Sequence, residues 1–519
     1  METRSAKRKK IARTVENDVK SVPDRISDLP DAVLHHILFL LPIKCVAQMS
    51  ILSKRFKFLW TTFPDLDFTT LTNVNPFEIS SNKKNIKFSK FERFLRHPLD
   101  NSTRLDFITQ VLSTRDKNSD IRILCFRARL SFSRLNSLMR SAIRHNVREL
   151  DVEVDTEVFT DDYFNFPRCV IGSESLKVLK LKSGFRLPPS SVMRTGFQSL
   201  QTLSLSYVVL YNQPSLPDLF SESSFPLLRT LHLDLCLGLK YLRVGCGALQ
   251  DLSLERCYQL DGLDLSCAKL ERMRVIKCFD AYSDKSWARI NAPKVEHLFW
   301  QHNALTDITS FEHSTNFLHE VSLGFFIPSR DNISAKLQSA INFLSGLSHV
   351  HSLTLERQTI EILSNNHLLF HPFYNLKSLE LHTGFNKSNV SGLSCLFKSC
   401  PILNTLILKI INEFRIERKE WNRDLWDMTI TEGEQYWESQ IRTLESFLQH
   451  LKVVKIHGFL DYENEVALAK FLLKHGKALE EMILCAGYCN ARDTLRRQKI
   501  RSQMMGFSWA SSNAKVAFQ

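Results

Sequence analysis

Residues 228–278 read LRTLHLDLCLGLKYLRVGCGALQDLSLERCYQLDGLDLSCAKLERMRVIKC, and this stretch decides the fold. The pattern L-x-x-L-x-L, with Val or Met allowed, starts at Leu228, Leu249 and Leu270, at two equal intervals of 21 residues. Successive side chains of a strand alternate between its faces, so the apolar positions of each pattern point inward together and those between them point out. Cys236, Cys257 and Cys278 each stand eight residues after the first Leu of their repeat, where the chain must turn back. A small side chain there can satisfy backbone groups from inside, and free Cys is among the most buried residue types. A 21-residue unit is too short to hold a helix comfortably. Leu239-x-x-Leu242-x-Val244 and Leu260-x-x-Leu263-x-Leu265 therefore read as return strands, with β structure on both sides near 228–280.

Outward from this stretch the same pattern starts at Ile121, Val147, Leu176, Leu200, Val295, Leu318, Val350, Leu376 and Leu403. Most spacings fall in the range of about 20–29 residues that marks leucine-rich repeats. Longer spacers read as helices over Phe132–His145, Asn332–Leu344 and Val390–Ser399, the last stopped before Pro401. The fold class is an α/β solenoid, a leucine-rich-repeat horseshoe with irregular repeats over 121–410. A linker and N-terminal helical cap occupy 69–120, with helical stretches at Phe91–Leu95 and Leu105–Leu112 behind a polar Ser80–Asn85 segment. The pattern breaks over 411–445, an insertion carrying Trp421, Trp426 and Trp437 that reads as a local core.

Residues 24–68 are built differently. Asp28 serves as a candidate N-cap with Pro30 in the first turn, and Leu34, Ile37, Leu38 and Leu41 follow at helical spacing until Pro42 stops the helix. A second short helix fits Ile43–Met49, and a third starts at the cap Ser53 and runs through Arg55, Phe56, Leu59 and Trp60. Three helices in some 40 residues are too few to bury so many large apolar side chains, and neither a disulfide nor a metal motif is at hand. The surplus implies a partner surface. Leu29-Pro30, Ile37-Leu38, Leu41-Pro42, Leu52-Ser53-Lys54-Arg55 and Leu59-Trp60 resemble the F-box in its plant form, with Phe56 where many relatives carry Trp. The resemblance implies a Skp-type adaptor as partner and, through it, a cullin. The residues it assigns to adaptor binding are Leu29, Pro30, Leu34, Ile37, Leu38, Leu41, Pro42, Val46, Leu52, Lys54, Arg55, Leu59 and Trp60.

Beyond the insertion, Leu451–Phe459 reads as a strand, Glu465–Lys474 as an amphipathic helix and Leu479–Leu484 as another strand. This order, within 446–519, resembles the FBD domain that follows F-box and leucine-rich segments in a large plant family, and it looks like one or two extra repeats covering the last apolar edge.

Composition narrows the function. The chain has 519 residues, 44% apolar and 24% charged, and no apolar run long enough for a membrane span. Residues 1–23 form a basic polar tail without an apolar signal segment, which points to a start in the cytosol and to work in the nucleus, the cytoplasm or both. A formal charge of +13 raises nucleic acid as a partner, but the basic residues are dispersed apart from Lys7–Lys10 and Arg492–Arg501, which argues against it. No hydrolase, P-loop, dinucleotide or metalloprotease motif occurs, and no C-x2-C pair, so no catalytic residue, metal or cofactor is expected.

If the repeats are phased as above, the outward ladder includes Glu149, Asp151, Glu153, Lys180, Lys182, Ser204, His232, Asp234, Asp251, Ser253, Glu255, Arg272, Arg274, His297, Phe299 and Gln301. Arg and aromatic residues are enriched in binding hot spots, which makes Arg272, Arg274 and Phe299 the candidate substrate-binding patch. The reading is a non-catalytic substrate-recognition subunit of a Skp–cullin–F-box ubiquitin ligase, its repeats holding an unidentified target protein. The alternative is a leucine-rich scaffold or nucleic-acid binder without a ligase role.

Overall fold

A computed structural model describes residues 26, 28–69, 101–155, 164–188, 192, 196–209, 220–280, 285–309, 317–326, 334–365, 372–385, 387–411, 430–459, 463–486, 498, 501–502 and 504–518. The expected basic tail, the Ser80–Asn85 linker, the Phe91–Leu95 helix, Trp421, Trp426 and most of Arg492–Arg501 lie outside them. The chain forms two compact units, 1–155 and 156–519.

The first unit opens with three helices, Asp31–Phe39 (α1), Ile43–Met49 (α2) and Lys54–Thr62 (α3). Their interior is Leu34, Leu38, Ile43, Val46, Ala47, Phe56, Leu59 and Trp60, each under a tenth exposed. The expected cap at Asp28 is not made. The N-cap of α1 is Pro30, whose side chain has nothing to donate or accept, and α1 ends at Phe39, before Pro42. Pro42 instead caps the start of α2, where its missing N–H costs nothing. Ser53 does cap α3, its Oγ accepting from the Phe56 N–H at 3.2 Å. Asp65–Asp67 (β1), within the segment assigned to the docking motif, is a strand paired in parallel with Ile123–Arg129 (β2), which pairs with Glu149–Asp155 (β3). Helices Asn101–Thr114 (α4) and Phe132–Arg144 (α5) stand between these strands in the chain. Arg115, 6% exposed, ties the helices to the strands. Its guanidinium donates to the carbonyls of Phe63 at 2.5 Å and Asp120 at 2.7 Å, and burial lowers its pKa to about 10.

The second unit is a ladder of parallel strands. Phe164–Asn165 (β4) pairs with Val178–Arg186 (β5), which pairs with Thr202–Val209 (β6). A short strand, Phe220–Ser221 (β7), starts the return side. Thr230–Asp234 (β8), Asp251–Glu255 (β10) and Arg272–Ile276 (β12) then pair residue for residue, Thr230 with Asp251 and Asp251 with Arg272. On the return side, Tyr241–Gly245 (β9), Gly262–Ser266 (β11), Trp287–Asn291 (β13) and Asp307–Thr309 (β15) join β7 in a second parallel sheet of five strands. The return side is thus β as expected, and it runs further than expected, to Thr309. The main ladder continues through His297–Ala304 (β14), Glu320–Phe326 (β16), Ser352–Leu355 (β17), Ser378–Thr383 (β18) and Thr405–Ile410 (β19). It proceeds through Val453–Phe459 (β20) and Glu481–Ala486 (β21) to Lys515–Phe518 (β22), every pairing parallel. The region resembling the FBD therefore adds three strands to the same ladder.

Helices replace the return strands where the spacers lengthen: Ser334–Ser345 (α6), Arg357–Asn365 (α7), Lys387–Ser399 (α8), Ile430–Ser439 (α9), Glu445–His450 (α10) and Glu463–His475 (α11). Trp437 of α9 is 1% exposed, with ring centroids 6.0 Å from Phe397 and 5.7 Å from Phe471, so this part of the insertion is a local core.

The turn after each strand explains the short period. Leu235, Arg256, Lys277 and His302 all have φ between 51° and 54°, a left-handed conformation costly for non-glycine residues. Each of the first three gives its N–H to the carbonyl of the fifth residue of the next strand, Glu255, Ile276 and Gln301, at 3.0, 2.8 and 3.1 Å. Cys236, Cys257 and Cys278 follow directly, all buried, and the thiols of Cys257 and Cys278 reach the carbonyls of Leu233 and Leu254 one strand back, at 3.6 and 3.3 Å. At the same phase the next repeat carries Asn303, 0% exposed. Its Oδ1 accepts from the N–H groups of Cys278 and Phe279 at 2.9 and 3.2 Å, and its Nδ2 donates to the Val275 carbonyl at 2.8 Å.

Candidate functional site

The thirteen residues assigned to adaptor binding divide into two groups. Leu34, Leu38, Val46, Leu59 and Trp60 are between 0% and 5% exposed, so their first task is to hold the three helices together. Pro30, Ile37, Pro42, Leu52 and Lys54 are exposed, and Leu29, Leu41 and Arg55 half-buried. Arg55 also works within the unit: its Nε meets Asp31 Oδ1 at 2.7 Å, and its guanidinium donates to the Leu29 carbonyl, so α3 holds the start of α1 in place.

Around the exposed members stand residues that spacing did not single out. Leu40 is 76% exposed, beside the assigned Leu52 at 72%, and Ile26, Val33, Phe39, Ile51 and Phe58 lie open as well. Leu40 lies about 100° round the helical wheel from Leu41 and about 160° from Leu38, outside the stripe drawn at steps of three and four. The signal that could have found it is a count of apolar residues left over once the stripe is filled. Phe39 is half engaged, its ring 5.0 Å from Phe63 and under the Arg122 guanidinium at 5.2 Å. Among the described residues the chain exposes fifteen large apolar side chains, and eight lie between Ile26 and Phe58. Water is a poor solvent for so many apolar side chains in so short a stretch, and apolar surface in such excess on folded chains marks interaction sites.

The outward face of the second unit carries charges in register. Asp251, Arg272 and His297 form one row, and Ser253, Arg274 and Phe299 the next. Arg272 holds Asp251 with both prongs, Nη2 to Oδ2 at 2.7 Å, and lies 3.8 Å from Glu271. Arg256 holds Asp234 in the same way at 2.8 and 2.6 Å. Arg274 lies instead over the Phe299 ring, 4.8 Å from its centroid. The expected patch of Arg272, Arg274 and Phe299 is thus brought together, with Arg272 already engaged in an ion pair.

Further along, His297 meets Glu320 at 3.0 Å, His302 meets Glu356 at 3.1 Å, and Glu380 meets His382 at 2.7 Å and Lys409 at 2.5 Å. Burial pushes the Glu356 carboxyl above its usual range, against the pull of His302, His382 and Lys277. Burial raises Glu380 too, but Lys409 and His382 outweigh it and hold that carboxyl below the usual range. Gly324 makes room for Glu356, since a Cβ there would collide with its carboxylate. Among the described residues no three His, Cys, Asp or Glu side chains are grouped to hold a metal ion. Burial pushes the Cys246 thiol up to about 12 and the Cys267 thiol to about 11, which keeps both protonated and poorly nucleophilic.

Two family models match the chain. One, described as "At1g61320/AtMIF1, LRR domain", covers residues 245–514, and the F-box domain covers residues 26–67. Among curated relatives, the F-box/FBD/LRR-repeat protein At4g03220 of Arabidopsis thaliana is 48% identical over 528 residues, spanning 100% of both chains. The F-box/FBD/LRR-repeat protein At3g26920 of the same plant is 26% identical over 463 residues, 88% of each chain.

Proposed function

We propose, because this chain belongs to the F-box/FBD/LRR-repeat family of plants, that it is the substrate-recognition subunit of a Skp–cullin–F-box ubiquitin ligase. F-box domains in general bind Skp1-type adaptors, and F-box/LRR proteins are typically non-catalytic. On this reading the three helices dock a Skp-type adaptor and through it a cullin, while the outward face of the strand ladder holds a target protein for ubiquitin transfer by other subunits. The observation that carries it is the crowd of exposed apolar side chains between Ile26 and Phe58, led by Leu40 and Leu52. Burying two such leucines against a partner stabilises the complex by about 1.5–3 kcal/mol each.

The test is co-purification of the full chain with a Skp-type adaptor, wild type against Leu40→Glu/Leu52→Glu. Both positions are open, so the double variant should keep its thermal midpoint while adaptor affinity falls about a hundredfold or more. A wild-type chain that binds none of the plant Skp-type adaptors would overturn the reading.

A further inference from the structure

We infer that the target segment held on the strand ladder presents a carboxylate side chain to Arg274, with an apolar neighbour against Phe299. This rests on the reading that the ladder is the target-binding face, and it names the chemistry of what that face accepts.

Three arginines of the same short-period coils show why Arg274 differs. Arg256 and Arg272 each reach an aspartate one strand back, Asp234 and Asp251, and both prongs of each guanidinium are used. The register partner of Arg274 one strand back is Ser253, whose hydroxyl donates to Glu255 at 2.9 Å. Among the described residues Arg274 has no carboxylate partner, and its side chain is exposed. The ring of Phe299 takes one face of the guanidinium. Stacking uses the face and leaves the N–H groups, which lie in the plane, free to grip an anion with two parallel hydrogen bonds. The ring also limits the rotamers of a long side chain, so less freedom is lost when the anion arrives.

The surroundings select the kind of anion. Glu255 and Glu320 stand on nearby strands, Glu271 and Glu296 directly precede β12 and β14, and the charge of Arg272 is met by Asp251 and Glu271. A phosphate dianion gathers two or more free cations, and here one guanidinium is open in an acidic frame. A singly charged Asp or Glu side chain fits that balance.

The experiment uses three pools of fluorescent decapeptides read by anisotropy against the full chain. One has a central Asp or Glu flanked by Leu, one the matching Asn or Gln, and one a phosphoserine. The acidic pool should bind about tenfold tighter than the amide pool and tighter than the phosphoserine pool. Arg274→Gln should remove the difference between acid and amide, and Arg274→Lys should lose most of it, because an ammonium cannot stack or grip with two prongs. Equal binding of acid and amide pools by wild type, a preference for phosphoserine, or an Arg274→Gln chain that still discriminates would each overturn the inference. Adaptor capture measured on the same samples keeps the two ideas apart: its loss with discrimination intact sinks the ligase reading alone.

Discussion

The three helices at 31–62 and the coils at 228–309 are both rich in leucine, yet they spend it in opposite ways. In the coils nearly every patterned Leu and Val is turned inward and closed off by the next coil, and what faces water is mostly hydroxyl, charge or histidine, with Tyr241, Tyr258 and the half-buried Phe299 as aromatic exceptions. In the helices a comparable interior is filled and a second set of apolar side chains remains outside. A repeat array finds its covering surface in its own next turn, so its sequence need carry no surplus. A short helical trio has no next turn, and its surplus is a request for another molecule. The same residue type therefore signals structure in one region and, on the proposed function, binding in the other.

The contrast can be broken by substitutions that separate stability from capture. The largest effect is expected at Asn303, where alanine would leave the buried N–H groups of Cys278 and Phe279 without their acceptor. Asn303→Ala should lower unfolding free energy by about 3–4 kcal/mol in urea titration, with adaptor affinity unchanged at temperatures where the chain stays folded. A loss below about 1 kcal/mol would mean that the turn is held by something else. Leu38→Ala, in the interior of α1, should cost about 2–3 kcal/mol of stability and weaken adaptor capture as well, since it loosens the scaffold that presents Ile37, Leu40 and Leu41. Unchanged capture by a destabilised Leu38 variant would show that the exposed set acts without its support. The smallest effect is expected at Glu356. A carboxyl whose folded pKa lies above the ordinary 4.5 loses stability as pH rises from that value through its folded pKa, because the chain then holds a charge it disfavours. Glu356→Gln should flatten that part of the stability-versus-pH curve while changing stability near neutral pH by less than about 1 kcal/mol. A curve that keeps its slope would assign the dependence to another group.

The strand ladder was legible because its signal is strictly periodic. Every repeat start read from the sequence, from Ile121 to Leu403, lies two residues before the first residue of an observed strand. What escaped was set by particular contacts. The strands Trp287–Asn291 and Asp307–Thr309 carry no leucine, and pairing makes them strands, the first against β11 and the second against β13. The indole of Trp287 lies over Gly262, where a Cβ would stand 2.7 Å from the ring, and a pattern of apolar letters carries no sign of that fit. Helix α7 went unread because its apolar stripe, Ile360 and Ile362 among polar residues, is too short to stand out. Asn303 could have been found by counting eight from Val295, as for the cysteines. At the candidate sites, spacing identified the helices and the Arg/Phe row but could not tell an interior Leu38 from an open Leu40, or an engaged Arg272 from an open Arg274. Those distinctions depend on neighbours distant in sequence.

The equal offset of the two sheets has an engineering consequence. From β8 to β10 the main strands step by the same 21 residues as the return strands from β9 to β11, and both steps are in perfect register. Residues 228–248 therefore behave as a tile whose top and bottom edges match. A second copy of that tile spliced in after residue 248 would meet the same partners on both edges, so the protein could be lengthened by whole coils as a measuring rod is lengthened by links.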